Sequence, residues 1–187
     1  MRILALVALV AFAACSHDDR APSPALPSQT PVGKPMMAEV PANLEIAVLA
    51  GGCFWGMEGI LRKIPGVIDT EAGYASGAES VRIVFDPAKV TYQTLLDRWF
   101  FRMHDPTTKN RQGNDVGSQY RSVIFYTSDA QRVVAERSKI TAGTNGRWKD
   151  PIVTEIAALE SFKPGEDFHQ DFLEKNPDGY TCHYIRD

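Results

Sequence analysis

The segment Gly51-Gly52-Cys53-Phe54-Trp55-Gly56 constrains the fold most, because it joins an apolar run at residues 46–50 to a stretch with helical spacing. This pattern predicts a buried strand that turns directly into a helix. The first N–H groups of that helix and the positive end of its dipole would face the cysteine. We therefore expect the pKa of Cys53 to be lowered, which makes its thiol nucleophilic. The alternative is a buried structural cysteine.

The residues around Cys53 favour the reactive alternative. Gly51 and Gly52 allow a tight turn and, in this interpretation, the close approach of a substrate. Phe54 and Trp55 place an aromatic wall beside the sulfur. A structural thiol needs neither feature, so the segment predicts a functional cysteine.

Hydrophobic spacing and turn residues divide the rest of the chain into strands and helices. Apolar residues at helical spacing continue the first helix up to Pro65, and Ser128 with Gln131 forms a capping-box pattern at the start of a later helix. Further strands are predicted at 67–75, 81–85, 122–127 and 152–159, and further helices at 91–103, 128–142 and 166–175. This order predicts an α/β (α+β) fold in two layers, with helices packed on a mixed sheet.

The connection at residues 104–119 is longer than most loops, which indicates a functional role. Asn110, Gly113, Asn114 and Gly117 suit turns that fold this loop back over a site. The overall charge is nearly balanced, at -3 in 187 residues, and gives no electrostatic reason to expect nucleic acid as a partner. Composition alone leaves an enzyme and a binding module open.

The N-terminus has the pattern of an export signal. Arg2 precedes an apolar run at residues 3–12, which is too short to span a bilayer. Small residues then lead to Cys15, so we predict a signal peptide at 1–14 and a lipidated Cys15 at the start of a proline-rich tether, 15–41. Cleavage after Ala13 would instead release a soluble protein. The catalytic domain is predicted at 42–187, on the periplasmic side of a bacterial membrane and as a monomer.

If Cys15 is lipidated or removed, only Cys53 and Cys182 remain in the folded part. In an oxidising compartment they could form a structural disulfide. Because one of them already lies at the predicted reactive turn, a reversible catalytic pair is the better interpretation.

Five ordered blocks between residues 46 and 186 resemble the peptide methionine sulfoxide reductase A family. They are the segment around Cys53, Gly73-Tyr74, residues 79–87, residues 104–122, and the pair Phe168-His169-Gln170-Asp171-Phe172 and Asn176-Pro177-Asp178-Gly179-Tyr180 near the end. The resemblance implies a ferredoxin-like core with long added loops, and reduction of methionine sulfoxide, free or in proteins, without a metal or an organic cofactor.

The resemblance also implies roles for individual residues. Cys53 would attack the sulfoxide sulfur, a protonated Glu79 would supply a proton to the oxygen, and Tyr74 and Tyr120 would hydrogen-bond that oxygen. Without the resemblance, Glu79 would be interpreted as a solvated carboxylate at a strand edge.

Further positions match the family as substrate-binding or orienting groups: Phe54 and Trp55 around the methyl group, together with Asp115, His169 and Tyr180. The attack would leave a sulfenic acid on the nucleophile, which condenses with Cys182 to a disulfide. Thioredoxin or a periplasmic thioredoxin-like protein would then reduce it.

The sequence departs from the family pattern at three positions. Thr181 separates Tyr180 from Cys182, so an external thiol acting in place of Cys182 stays an alternative. The segment 75–78 is shorter than the usual loop, and Phe172 stands where a tyrosine is common.

Two other function classes compete with the reductase. A thiol-disulfide oxidoreductase or thiol peroxidase would also use a reactive cysteine, but the chain has no Cys-x-x-Cys motif. A non-catalytic lipoprotein that binds a partner through aromatic residues is supported only by the predicted anchor and tether.

Overall fold

The computed structural model describes residues 40–186. The predicted signal peptide, Cys15 and nearly all of the tether lie outside the described residues, so those predictions stay predictions.

A mixed sheet of six strands forms the centre of the described part, in the order β7-β6-β1-β3-β2-β8. All neighbouring pairs are antiparallel except β6 and β7, which are parallel. A separate two-stranded ribbon is formed by β4 and β5. The strands are β1 Glu45–Gly51, β2 Val67–Ala75, β3 Ala78–Phe85, β4 Arg111–Gln112, β5 Asp115–Val116, β6 Ser122–Tyr126, β7 Glu155–Ala158 and β8 Lys163–Pro164.

Helices connect these strands at the predicted places. The helices are α1 Phe54–Leu61, α2 Tyr92–Thr94, α3 Phe101–Met103, α4 Asp129–Thr144 and α5 Phe172–Lys175. A π-helical segment, Leu95–Phe100, joins α2 to α3, and a 3-10 turn covers Ser118–Tyr120. Thr91 caps α2 and Ser128 caps α4 through side-chain oxygens, as the capping patterns predicted.

The strand order explains the ferredoxin-like core that the resemblance implied. β1 lies antiparallel to both β3 and β6, while β2 lies on the far side of β3. The units β1-α1-β2 and β3-helix-β6 therefore interleave, which is the split βαβ arrangement. The α/β class and the mixed sheet are confirmed.

Alternating side chains divide the core between the two faces of the sheet. Ala47 and Leu49 of β1 belong to the cluster that also contains residues of α1, the π-helical segment and α4, so these helices cover one face. Ile46 and Val48 point to the other face, where Phe162 joins their cluster. The chain between β7 and β8 supplies Phe162 and so covers this face without a helix.

Two predicted elements are much shorter in the structure, and β3 begins three residues earlier than predicted, at Ala78. The strand predicted at 152–159 is limited to Glu155–Ala158, and the helix predicted at 166–175 is limited to Phe172–Lys175. Residues 167–171 form turns because Asp171 adopts a left-handed conformation, with φ 55°. The buried carboxylate of Glu58 accepts the Asp171 N–H at 2.9 Å and stabilises this turn.

The short segment between β2 and β3 is a two-residue hairpin. Ala75 pairs with Ala78, and the two residues between them, Ser76 and Gly77, both have positive φ, at 45° and 73°. Two positive φ values are the signature of the type I′ turn that suits the twist of a hairpin. Within residues 40–186, no helix is both long enough and apolar enough to cross a membrane.

Candidate active site

Cys53 lies at the turn from β1 to α1, where it is the N-cap residue and is 6% exposed. The amides of Trp55 and Gly56 lower the pKa of its thiol, as the helix start predicted. Burial outweighs them, and the nearby Glu79 and Asp115 add to the rise, so the pKa of Cys53 is raised to about 12. For the protein without substrate, the expectation of a lowered pKa for Cys53 was wrong. Sequence spacing does not show how completely a thiol is buried.

The glycine pair makes room for side chains of the loop at 104–119. A Cβ on Gly51 would lie 2.9 Å from the His104 ring, and a Cβ on Gly52 would lie 2.6 Å from Gln112. Gly52 also has φ +108°, which favours glycine. These glycines therefore let the loop at 104–119 pack against the turn, and the close approach of a substrate stays a prediction.

Glu79 and Tyr74 face each other across β2 and β3. The Phe54 N–H donates to the Glu79 carboxylate at 3.1 Å, which joins this acid to the first residue of α1. Burial and the charge of Asp115 raise the pKa of Glu79 to about 7, although the Phe54 hydrogen bond opposes the rise. The carboxyl is thus substantially protonated near neutral pH, which an acid in this position requires.

Two tyrosines lie close enough to Glu79 for its charge to act on them. Burial and Glu79 both raise the pKa of Tyr120, and the same groups together with Glu166 raise the pKa of Tyr74. Both phenols therefore keep their protons and can donate hydrogen bonds. Arg121 follows Tyr120 and donates to the Ser76 carbonyl at 2.8 Å, which ties the β2-β3 hairpin to the 3-10 turn.

The aromatic wall is fixed by its contacts with the turn before α5. Trp55 stacks on Phe172 with 3.8 Å between ring centroids, and its Nε1 donates to His169 Nδ1 at 3.0 Å. Phe54 is only 2% exposed and packs on Tyr74 and His169. Phe54 is therefore a buried part of the aromatic wall, while Trp55 and Tyr74 are partly exposed. Contact of Phe54 with the methyl group stays a prediction.

Cys182 and Asp115 meet at the other side of the nucleophile. Asp115 accepts from the Tyr180 hydroxyl at 3.2 Å and from the Cys182 thiol at 3.3 Å. The backbone N–H of Cys53 faces the Cys182 sulfur, and burial with Asp115 raises the pKa of Cys182 to about 11. Both cysteines are free thiols. The structure thus brings Cys182 beside Cys53 despite the intervening Thr181.

Comparison with known proteins agrees with this geometry. The family model described as "Peptide methionine sulfoxide reductase" matches residues 45–79 and 77–187. The chain belongs to this family. A relative from Mesorhizobium japonicum, "Peptide methionine sulfoxide reductase MsrA 1", is 52% identical over 157 residues, which cover 77% of this chain and 91% of the relative.

Solved structures of Mxr1 from Saccharomyces cerevisiae share the fold. The reduced form is 36% identical with a TM-score of 0.74, over 79% of this chain and 94% of that one. A complex of Mxr1 with Trx2 is 31% identical with a TM-score of 0.60, over 79% of this chain and 93% of that one. The protein is a peptide methionine sulfoxide reductase, an oxidoreductase with a redox-active cysteine.

Sequence reasoning missed several residues that pack against the segments around this reductase site. Gln112 fills the space beside Gly52 and lies 3.4 Å from the Gly51 carbonyl, while His183 contacts the same turn. Glu58 stabilises the turn before α5 and so indirectly places His169. Gln112 lies in the family-like block 104–122 and His183 directly follows Cys182, but neither pattern shows what the side chain contacts. Among residues 40–186, no group of three His, Cys, Asp or Glu side chains could hold a metal ion.

Proposed function

We propose that Cys53 removes the oxygen of the S epimer of methionine sulfoxide and is recycled through a disulfide with Cys182. The observation that carries this proposal is the position of the nucleophile between an acid with a raised pKa, Glu79, and a second free thiol. The S preference rests on the resemblance of the whole site to the reductase A family.

In the first step, the sulfoxide oxygen lies between Tyr74 and Tyr120, whose hydroxyls donate hydrogen bonds to it. Glu79 donates its proton as charge develops on this oxygen. In the protonated form Glu79 also has no charge to repel the Cys53 thiolate. The sulfoxide sulfur gains two electrons and leaves as methionine, while the Cys53 sulfur loses two and becomes a sulfenic acid.

In the second step, the Cys182 sulfur attacks the Cys53 sulfenic acid, and the S–O bond breaks as an S–S bond forms. The hydroxyl leaves as water with one proton. Thioredoxin or a thioredoxin-like protein then reduces the disulfide by thiol exchange. The complex of the yeast relative with Trx2 supports this choice of reductant.

A stereochemically resolved assay tests the first step. The wild-type protein is given both epimers of a methionine sulfoxide peptide, and we expect only the S form to be consumed. Cys53→Ser is expected to form no methionine, whereas Cys182→Ser is expected to form one methionine per chain in the absence of reductant. Full activity of Cys53→Ser would remove Cys53 as the nucleophile.

We also propose that the protein is exported and works as a monomer on the periplasmic side of a bacterial membrane, held by a lipid on Cys15. The apolar run that stops at a cysteine followed by a proline-rich tether supports this proposal. Mass spectrometry of the mature N-terminus is expected to find a lipidated Cys15. An unmodified N-terminus that begins after Ala13 would contradict the lipid anchor.

A further inference from the structure

His183 is a buried side chain that neither proposed step uses. It is 6% exposed, and its Nε2 lies 2.8 Å from the Gly51 carbonyl oxygen. Because a carbonyl only accepts hydrogen bonds, Nε2 carries the ring proton and donates it to Gly51. Nδ1 then has a lone pair, and it lies 3.5 Å from the sulfur of Cys182. The ring therefore connects the carbonyl that precedes the nucleophile to the second cysteine.

Two glycines form the surface on which the ring lies. A Cβ on Gly52 would lie 3.1 Å from the His183 ring, and a Cβ on Gly56 would lie 2.5 Å from it. The same Cβ on Gly56 would lie 2.4 Å from the Thr181 hydroxyl oxygen, which accepts the His183 N–H at 3.1 Å. These two glycines, one turn apart, thus leave a recess that residues 181–183 fill.

The recess determines where Cys182 lies. Residues 181–186 contain no regular secondary structure, so strand or helix bonds do not hold this segment. Cys182 is nevertheless confined: its Cβ lies 3.0 Å from where a Cβ on Gly113 would be, and the Cys53 N–H faces its sulfur. The far end of the segment is held separately, where the Arg186 N–H donates to the Arg102 carbonyl at 2.9 Å. His183 is the buried residue of the segment and directly follows Cys182, so its packing acts most directly on the position of the thiol.

We propose that His183 is a positioning residue for disulfide formation: its ring docks the C-terminal segment on the Gly52 and Gly56 recess, so that Cys182 stands beside Cys53 before the sulfenic acid forms. This inference rests on the proposed function, in which Cys182 resolves the intermediate. The step it serves converts the Cys53 sulfenic acid and the Cys182 thiol into a disulfide and water. The docked segment makes this step intramolecular between fixed partners, which favours it over attack by an external thiol.

Single-turnover kinetics of the full mature chain test this role. Reduced protein is mixed with a methionine sulfoxide peptide without reductant, and two quantities are followed: methionine released, and the Cys53–Cys182 disulfide in quenched samples by mass spectrometry. For His183→Ala we expect methionine release at the wild-type rate but disulfide formation slowed about 10-fold or more. A sulfenic acid should accumulate and be trapped by dimedone.

Two further variants separate positioning from general loss of structure. His183→Gln keeps an N–H group that can reach the Gly51 carbonyl, and we expect it to restore at least half of the disulfide rate. Tyr184→Ala removes an exposed ring of the same segment that contacts Arg186 rather than the turn, and we expect wild-type behaviour. Turnover of His183→Ala should recover when a small dithiol replaces thioredoxin, because that dithiol can reduce the sulfenic acid directly.

The outcomes distinguish this inference from the proposed function. If the wild-type protein releases no methionine, the proposed function fails. If it does, but His183→Ala forms the disulfide at the wild-type rate, the positioning role is refuted. Loss of methionine release in His183→Ala, or failure of His183→Gln to restore the disulfide rate, would likewise overturn it in favour of a merely structural ring.

Discussion

At the scale of single residues, the site depends on how Cys53 and Glu79 affect each other. Burial raises both pKa values, and an ionised Glu79 raises that of Cys53 further. The reactive form needs a protonated acid and a thiolate together, although the thiol has the higher pKa. This form is therefore a minor species at every pH, and binding of the sulfoxide must select it.

Glu79→Gln tests this pairing through the pH dependence of methionine release in a single turnover. For the wild-type protein, the second-order rate constant of methionine release at low substrate should rise about tenfold per pH unit up to about pH 7. Above that pH it should level, since each gain in thiolate is offset by loss of protonated Glu79. In Glu79→Gln we expect a rate about 10²-fold lower at pH 7 and a continuous rise to pH 9 without levelling.

The matched control is Glu166→Gln, which changes an exposed carboxylate near Tyr74 and should keep the break in the profile. A break near pH 7 that persists in Glu79→Gln would show that another group is the acid.

Individual residues differ in how far the sequence could predict them. The resemblance required Glu79 to be protonated at working pH. The structure agrees, because burial raises the pKa of this carboxyl. The prediction of a lowered pKa for Cys53 was wrong, because the argument from the helix dipole left out the burial of the thiol. The neighbours of Gly51 and Gly52 come from residues 104 and 112, and no local pattern reveals such contacts.

At the scale of elements, strands and helices with strong periodicity were predicted well. β1 to β3 and α4 follow the alternation and capping patterns closely, because these signals are local. The start of the helix predicted at 166–175 was wrong because a distant carboxylate, Glu58, accepts the Asp171 N–H and stabilises a turn there. The π-helical segment and the parallel pairing of β6 with β7 had no local signal at all.

The pair of β2 and β3 carries a buried ion pair that should govern sheet stability. Arg82 and Glu71 are cross-strand partners at 2.8 Å, and both are about 5% exposed. Arg82→Met should lower the free energy of unfolding by about 3–5 kcal/mol, because it leaves a buried carboxylate without its partner. Urea denaturation at pH 7 measures the loss.

Two comparisons show whether the loss comes from the unpaired charge. The double variant Glu71→Leu with Arg82→Met should recover most of the stability, since no buried charge remains. Arg132→Ala, which removes an exposed pair with Glu136 on α4, should leave the denaturation midpoint unchanged. If the double variant is as unstable as Arg82→Met, lost packing rather than the orphaned charge explains the effect.

At the scale of the whole molecule, the site is assembled from distant parts of the chain. In the proposed function, the β1-α1 turn supplies the nucleophile and the β2-β3 hairpin supplies the acid. Asp115 comes from β5, Tyr120 from the 3-10 turn, and the second thiol from the C-terminal segment. The family resemblance predicted these residues, and the structure brings them together. It did not predict that the C-terminal segment is docked on the nucleophile turn, because that depends on His183 filling a recess between two glycines.

The central claim is that Cys53 takes one oxygen from methionine sulfoxide and passes the oxidation to Cys182. Mass spectrometry of the reduced mature chain after one turnover without reductant tests it most directly. We predict one methionine released per chain, an intact mass lower by two hydrogen atoms, and a peptide pair linked through Cys53 and Cys182. A chain that releases no methionine, or that releases it while both thiols stay free and unmodified, would contradict the account.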